Sequence, residues 1–256
     1  MNITVTPHGR TGNRLMQYAL ALVLAKDKKD NFNAEHIPYF DQIVYTQHIQ
    51  NDLSTFKTST FGNYYYDYNY LLSCNSNINI DSYVQQSYGL IPHRDYLRQQ
   101  FSVPNTLDTL PEDDELVIHI RETDYKAINA YLGDNIYTDL IKNSKFSKNT
   151  IVTDNINSPL IEELVSLGCT VFTKQQAVNW QYPFFSKNEL DDFNYLLHSK
   201  NLFISQSTFS WWAAFLGNHN QIIFPYMKTG GMWPLDPAQD DVNLYFDFGV
   251  TSKYIL

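Results

Sequence analysis

Residues 201–216 combine a short apolar run, a polar loop and an aromatic stretch, and this order limits the folds open to the chain. The apolar run ends at Ile204 and is typical of a buried strand. The loop begins at Ser205, and the alanine- and tryptophan-rich stretch after it predicts a buried helix. In an α/β sheet, the N–H groups that begin such a helix bind anions at the carboxyl end of the strand. The stretch therefore predicts an α/β fold with either a phosphate site here or, on spacing alone, only a helix capped by Ser207 or Thr208.

The same order of elements opens the chain. Residues 2–6 are alternating and β-branched, as in a strand, and apolar residues recur at helical spacing between Leu15 and Leu24. Gly9 and Gly12 lie in the turn between them, where glycine lets the backbone approach a ligand closely. Their spacing differs from the G-x-G-x-x-G dinucleotide fingerprint, so this loop alone predicts no particular ligand. The α/β alternation continues with strands predicted at 116–121, 150–153 and 221–225.

Composition restricts the partners and the compartment. The 256 residues carry a formal net charge of −9, which argues against a nucleic-acid or anionic-membrane partner but allows a local basic pocket. Cys74 and Cys169 predict two buried free thiols, because two cysteines alone indicate neither a disulfide framework nor a zinc site. The apolar run at 15–25 is too short to span a bilayer and has no clear cleavage site. We expect a soluble, cytoplasmic protein without a transmembrane segment.

Three segments resemble motifs of the alpha-1,2-fucosyltransferase family. Residues 205–216 are similar to the family's S-N-S-T-F-S-W-W-A-A-Y-L motif, and residues 9–19 resemble its G-G-L-G-N-Q-x-F-Q-Y-A opening. Residues 119–125 resemble H-I-R-R-G-D-Y, with Glu122 in place of the second arginine and Thr123 in place of the glycine. The Gly-Arg-x-Gly-Asn core of the opening segment is also similar to the corresponding loop of the protein O-fucosyltransferases.

The resemblance implies a GT-B architecture, in which two Rossmann-like halves face a cleft. An acidic, proline-containing segment at 104–115 fits a linker between them. We therefore expect an acceptor-side domain at 1–110, a nucleotide-sugar-binding domain at 111–235, and a tail at 236–256 that packs back on the first domain. The implied reaction transfers L-fucose from GDP-fucose to a hydroxyl of an oligosaccharide or polysaccharide with inversion. It requires neither a metal nor another cofactor.

This chemistry needs groups that stabilise a departing diphosphate. Without a metal, arginine side chains and helix N-termini carry that task. Arg121 follows a predicted strand and is expected to bind the β-phosphate, and Asn13 is the second catalytic candidate. By resemblance, the remaining donor contacts are His119 and Asp154 to guanine, Gly12 to the pyrophosphate or fucose, and Ser205, Gln206, Ser207, Thr208 and Ser210 around the phosphates.

Simpler interpretations of these residues stay open. Arg121 could form only a surface ion pair with Glu122 or Asp124. His119 could be a core histidine that contacts no ligand. The tryptophan pair at 211–212 is expected in the core, because it lies inside the predicted helix.

An inverting transfer also needs a base that takes the proton of the acceptor hydroxyl. The candidates are Asp95, Asp124 and Glu122. Asp124 fits better as a structural residue that holds Arg121, so the sequence does not single out one base.

A tyrosine-rich segment at 64–70 is the candidate acceptor-binding region. Tyr65, Tyr66 and Tyr68 alternate with short polar residues, a pattern that suits stacking on sugar rings and hydrogen bonding to hydroxyls. The alternative is an edge strand with mixed faces.

Glu122 leaves the identity of the donor open. An anion in place of the family's cation reverses a charge near the expected diphosphate. Its side chain could point outward without effect, indicate a different donor, or form a metal-binding pair with Asp124, which fits poorly beside an arginine. The rival functions are therefore a transferase for another nucleotide sugar, such as a UDP-linked one, and an inactive glycan- or nucleotide-binding module.

Overall fold

The structure is a computed structural model of the 256-residue chain, and it describes residues 1–43, 66–128, 130–173, 186–226 and 244–255. The chain divides into two compact units. The first comprises Met1–Pro104 and Pro237–Leu244, and the second comprises Asn105–Asp236 and Tyr245–Leu256.

The first unit contains a parallel sheet whose described strands have the order β2-β1-β3. Its strands are β1 (Asn2–Val5), β2 (Asn31–Asn33) and β3 (Ile78–Ile80). Its helices are α1 (Thr11–Lys28), α2 (Tyr68–Ser73) and α3 (Arg94–Gln100), and a 3₁₀ turn at Ile91–His93 precedes α3. Helix α1 is buried from Leu15 to Ala25, so the apolar run of the sequence is a core helix.

The second unit contains a larger parallel sheet flanked by helices. Its strands are β4 (Glu115–Ile120), β5 (Lys148–Thr153), β6 (Thr170–Val171), β7 (Asn201–Phe203), β8 (Gln221–Tyr226) and β9 (Thr251–Ile255). Its helices are α4 (Thr123–Ala127), α5 (Asp134–Lys142), α6 (Pro159–Ser166), α7 (Lys187–His198) and α8 (Thr208–Leu216). The described strands have the order β6-β5-β4-β7-β8-β9, and every pair is parallel.

This strand order is the doubly wound order 3-2-1-4-5-6, counted along the second unit. In such sheets, the crevice for a ligand opens where the order reverses, beyond the carboxyl ends of the two central strands. Here these strands are β4 and β7, which pair with Ile118 beside Phe203. The residues that follow Ile120 and Phe203 therefore lie close together at the carboxyl end of the sheet.

The alternation along β4 sends its side chains to two different layers. Ile118 and Ile120 are buried in a cluster with Tyr137 of α5 and Leu160 of α6. His119 lies on the opposite face, where its ring stacks on Phe209 of α8 at a centroid distance of 5.6 Å. The strand thus carries the core on one face and a polar side chain toward α8 on the other.

Helix α8 is held by aromatic packing. Trp211 and Trp212 are 1% and 0% exposed, which confirms the core position expected from the sequence. Trp211 stacks on Phe215 at 4.7 Å and meets Phe246 edge-on at 5.5 Å. Phe246 belongs to the segment that leads into β9, and β9 pairs with β8. This part of the tail therefore belongs to the second unit, whereas Pro237–Leu244 belongs to the first.

Two smaller expectations can be compared with the described residues. Cys169 is buried, and this burial raises the pKa of its thiol to about 11, whereas Cys74 is only half-buried. The expectation of two buried thiols is therefore right for Cys169 alone. In the part of the chain that the structure describes, no helix has the length and apolar character needed to cross a membrane.

A buried carboxylate anchors the start of β4. Glu115 is 0% exposed, and its Oε1 accepts a hydrogen bond of 2.7 Å from the hydroxyl of Tyr195 in α7. Its Oε2 accepts a hydrogen bond from the backbone N–H of Glu112 and lies 3.2 Å from Nζ of Lys148. Burial alone would raise the pKa of Glu115, but the hydrogen bonds to its carboxylate outweigh burial and lower it.

We expect Tyr195→Phe to lower the free energy of unfolding by about 2 kcal/mol at pH 7, because it removes a donor from a buried charged acceptor. Urea denaturation measures this change. The lowered pKa means that the stabilisation by Glu115 is present above its ordinary pKa and is lost as the pH falls, so the effect should shrink below about pH 4. The control is Tyr131→Phe. The hydroxyl of Tyr131 donates to Asp134 at the surface, so its removal should change the free energy of unfolding by less than about 0.5 kcal/mol. Equal effects of the two variants would contradict the assignment.

Candidate functional site

Two of the segments singled out in the sequence, the one around His119 and the one that begins at Ser205, meet at the carboxyl ends of β4 and β7. Nδ1 of His119 lies 2.7 Å from Oγ of Ser205, and both side chains are buried. Burial lowers the pKa of His119 to about 3, and the nearby charge of Arg121 acts in the same direction. The imidazole is therefore neutral at physiological pH.

The polar loop after β7 is buried throughout. Ser207 is the N-cap of α8, and its Oγ accepts a hydrogen bond of 3.3 Å from the N–H of Phe209. Oγ of Ser210 donates to the carbonyl of Ser207 at 3.2 Å. The cap expected from spacing is thus present at the same place as the expected phosphate loop, which comprises the buried residues Ser205, Gln206, Ser207, Thr208 and Ser210.

Arg121 lies immediately beyond β4, and its side chain is only 13% exposed. Its Nε donates to Oδ1 of Asp124 at 2.8 Å and lies 3.2 Å from Oδ2 of Asp154. The guanidinium also lies 5.6 Å from the ring centre of Tyr125. Burial alone would lower the pKa of Arg121, but the two carboxylates outweigh it and raise the pKa. The site therefore holds a permanent, mostly buried cation.

Asp154 follows β5, and its side chain is 4% exposed. Its Oδ1 accepts a hydrogen bond of 2.8 Å from the N–H of Glu122. Its Oδ2 accepts from the N–H of Thr123 at 3.3 Å and also from the hydroxyl of Thr123. The carboxylate is thus directed at the start of α4 and at Arg121. The guanine contact expected by resemblance stays a prediction.

Helices α4 and α8 are linked through side chains. A hydrogen bond joins the hydroxyl of Tyr125 to the side chain of Ser207. Burial raises the pKa of Tyr125, so the phenol stays protonated. The residue that packs against Arg121 therefore also contacts the N-cap of α8.

Glu122 is the N-cap residue of α4 and has a helical backbone conformation, with φ of −111° and ψ of −51°. Its side chain is 1% exposed, and its Oε1 accepts a hydrogen bond of 2.5 Å from Nζ of Lys126. Its Oε2 and the hydroxyl of the buried Tyr137 have no hydrogen-bond partner. The suggestion that Glu122 points outward is therefore wrong: it is buried against a lysine.

The carboxylates of Glu122 and Asp124 pair with different cations. Glu122 contacts Lys126, whereas Asp124 contacts Arg121. Within the described ranges, no group of three or more histidine, cysteine, aspartate or glutamate side chains is arranged to hold a metal. In this arrangement the two carboxylates are engaged by separate cations.

In the first unit, the loop before α1 is shaped around Asn13. Oδ1 of Asn13 accepts a hydrogen bond of 2.8 Å from Nε2 of the buried Gln85. Gly9 has a φ of +70°, and a Cβ there would lie 2.6 Å from Nδ2 of Asn13, so only glycine fits this position. Gly12 is buried in the first turn of α1. The structure thus places both predicted residues of this loop at the helix N-terminus.

The tyrosines proposed for the acceptor have other partners in the described chain. The hydroxyl of Tyr66 donates to the carbonyl of Gln86 at 3.0 Å, and the hydroxyl of Tyr68 donates to Asp27 at 2.9 Å. Asp27 is fourteen residues beyond Asn13 on α1, or roughly 21 Å along the helix axis. Tyr68 begins helix α2, so the alternative of an edge strand is wrong there. The acceptor role of these two tyrosines stays a prediction.

Two other candidates complete the comparison with the sequence. Asp95 lies in the first turn of α3 and is exposed. Tyr65 lies outside the described residues.

Asp192 of α7 was not identified from the sequence. It forms a hydrogen bond with Thr173, whose Oγ1 accepts from the N–H of Thr153 at 2.9 Å. Burial raises the pKa of Asp192 to about 8, although the hydrogen bond with Thr173 acts to lower it. A neutral carboxyl group therefore stands at the carboxyl end of β6. The sequence signal was an acidic pair at 191–192 on an amphipathic helix, which by itself predicts a solvated face.

Comparison with known proteins shows the fold. No protein-family model matches the chain, and no curated protein matches it. A mutant of Arabidopsis thaliana FUT1 in complex with GDP matches with a TM-score of 0.57 at 11% identity, over 88% of this chain and 70% of that chain. The NodZ alpha-1,6-fucosyltransferase of Bradyrhizobium, soaked with GDP-fucose, matches with a TM-score of 0.51 at 10% identity, over 87% and 94%. The chain thus has the GT-B fold of these glycosyltransferases, as expected from the sequence.

We expect the contribution of Asp192 to the free energy of unfolding to fall as the pH rises from about 4 to about 8, because Asp192 holds its proton in the folded chain up to a higher pH than in the unfolded chain. The substitution Asp192→Asn removes this pH-dependent contribution to stability. The variant should gain at least about 1 kcal/mol relative to the unaltered chain between pH 5 and pH 8, the equivalent of one pKa unit. Urea denaturation at a series of pH values measures it, with Asp191→Asn as the neighbouring control. Parallel profiles for Asp192→Asn and the unaltered chain would refute the assignment.

Tyr137→Phe should leave the protein as stable as before, or stabilise it by up to about 1 kcal/mol. The hydroxyl is fully buried without a hydrogen-bond partner, so its removal relieves a desolvation penalty. A loss of more than about 1 kcal/mol in urea denaturation would contradict this description.

Proposed function

We propose that the protein is a glycosyltransferase that transfers L-fucose from GDP-fucose to a hydroxyl of a glycan acceptor, with inversion and without a metal. One observation carries the proposal: a buried arginine, Arg121, adjoins the polar N-terminal loop of α8 at the switch point of a doubly wound sheet. This is where such sheets bind nucleotides. The sequence resemblance and the GT-B fold support the choice of reaction.

The chemistry assigned to this edge is stabilisation of the leaving diphosphate. As the bond to the sugar breaks, negative charge grows on the β-phosphate, and a fixed cation with oriented N–H and O–H donors lowers the barrier. Arg121 supplies the charge in the proposal. The loop from Ser205 to Thr208, with Ser210, supplies the donors, and the dipole of α8 adds to them.

Recognition of the base is assigned to the adjoining strands. The resemblance implies His119 and Asp154 as guanine contacts. Asp192 is a further candidate, since its neutral carboxyl group at the end of β6 can both donate and accept a hydrogen bond. By resemblance, Asn13 and Gly12 stay proposed contacts of the diphosphate or the fucose.

The acceptor hydroxyl must lose a proton to a base. Glu122 is buried against Lys126, and Asp124 is bonded to Arg121, so both carboxylates are engaged. Asp95 is exposed and stays a candidate base beside them. Tyr65, Tyr66 and Tyr68 remain the proposed acceptor contacts.

Thermal unfolding with GDP, UDP, ADP and CMP, each with and without EDTA, tests the donor. A ligand at about a hundred times its dissociation constant adds about 2.7 kcal/mol, which raises the melting temperature visibly. We expect a shift with GDP that EDTA does not change. A shift with UDP alone would favour the rival donor, and binding of GDP without turnover of GDP-fucose would favour an inactive binding module.

Arg121→Ala should lower the turnover of GDP-fucose at least about 100-fold, the scale seen when a transition-state donor is removed. Turnover is measured as release of GDP, and circular dichroism checks that the variant is folded. The control is Lys142→Ala, which removes an exposed cation on α5 and should stay within about threefold of the unaltered enzyme. Near-normal turnover of folded Arg121→Ala would exclude this role.

A further inference from the structure

We infer that Asp154 is a positioning residue that fixes Arg121 and the start of α4, and that it does not contact the nucleotide base. For its kinetic readout, the inference rests on the proposed function. It departs from the role that the sequence resemblance gives to this residue. It also departs from the general pattern of dinucleotide-binding sheets, in which the acidic residue after the second strand binds the ribose.

The contacts of the carboxylate carry the inference. Oδ1 accepts from the N–H of Glu122, and Oδ2 accepts from both the N–H and the hydroxyl of Thr123. Nε of Arg121 lies 3.2 Å from the same Oδ2. Three hydrogen bonds and the ion pair with Arg121 thus engage both oxygens of a carboxylate that offers about four lone-pair positions. A nucleoside would have to compete with these partners.

These contacts tie three parts of the site together. Asp154 follows β5, Arg121 follows β4, and the two N–H groups belong to the start of α4. The first turn of α4 also carries Tyr125, which contacts both Arg121 and Ser207. The position of Asp154 thus sets the position of the cation and, through α4, is linked to the N-cap of α8.

The substitution Asp154→Asn separates positioning from recognition. It preserves shape, but it removes the charge that pairs with Arg121 and replaces one acceptor by an NH₂ group. If Asp154 positions Arg121, kcat for GDP-fucose should fall at least about tenfold. The preference for GDP over UDP should then stay within about threefold, because Arg121 acts on the diphosphate that both nucleotides share. Calorimetry measures both Kd values, and GDP release measures kcat.

A double-mutant cycle tests whether Asp154 acts through Arg121. In an Arg121→Lys background, Asp154→Asn should change kcat by less than about threefold, because the geometry that it maintains is already lost. Asp124→Asn is the matched control, since Asp124 contacts the same Nε but its side chain is 30% exposed; its effect should be smaller.

A spectroscopic readout does not depend on activity. The Nε–H resonance of Arg121, identified by its loss in Arg121→Lys, should exchange slowly with solvent in the unaltered protein and at least about tenfold faster in Asp154→Asn. Unchanged exchange in Asp154→Asn would overturn the inference. Selective loss of GDP affinity with unchanged kcat would also overturn it and identify a base contact. If the unaltered protein neither binds nor turns over any nucleotide sugar, the proposed function fails, and the exchange experiment still decides the positioning role.

Discussion

The parallel pairing of β4 with β7 is the constraint on which the second unit depends. These strands lie far apart in sequence, yet their pairing places Arg121 and Ser205 at the same edge of the sheet. The contact between His119 and Ser205 joins the two strand ends directly. Because the order of strands reverses at this point, the helices that follow β4 and β7 leave the edge in different directions and a crevice opens between them. A polar site here is therefore a consequence of topology.

Two charge pairs engage neighbouring residues after β4. Arg121 is paired with Asp154 and Asp124, whereas Glu122 is paired with Lys126. The charges of Glu122 and Asp154 both act to raise the pKa of the buried Tyr137, so the two pairs lie close to one another. The negative charge of Glu122 is therefore offset by a lysine and not removed from the site.

Local patterns predicted the elements but not their long-range partners. The strand, loop and helix at 201–216 were predictable because apolar periodicity and turn residues act over a few residues. The burial of Glu122 was not predictable, because its carboxylate is packed near Tyr137 of α5, which is distant in the sequence. Asp192 was missed for the same reason: its pKa is set by burial and by Thr173, which follows β6. Strand β9 pairs with β8 although the two strands lie far apart in the sequence, and no local pattern predicts this pairing.

The electrostatics of the site favour directional binding over long-range attraction. Arg121 with its two carboxylate partners carries a net negative charge, His119 is neutral, and the whole chain has a formal charge of −9. A mostly buried arginine without these partners would be costly, so the carboxylates keep the cation in place before any ligand arrives. The binding free energy of a diphosphate would then come mainly from donors that are already aligned, and little of it from the electrostatic field of the whole protein. Under the proposed function, selectivity for the transition state would follow from the geometry of Arg121, and that geometry depends on Asp154.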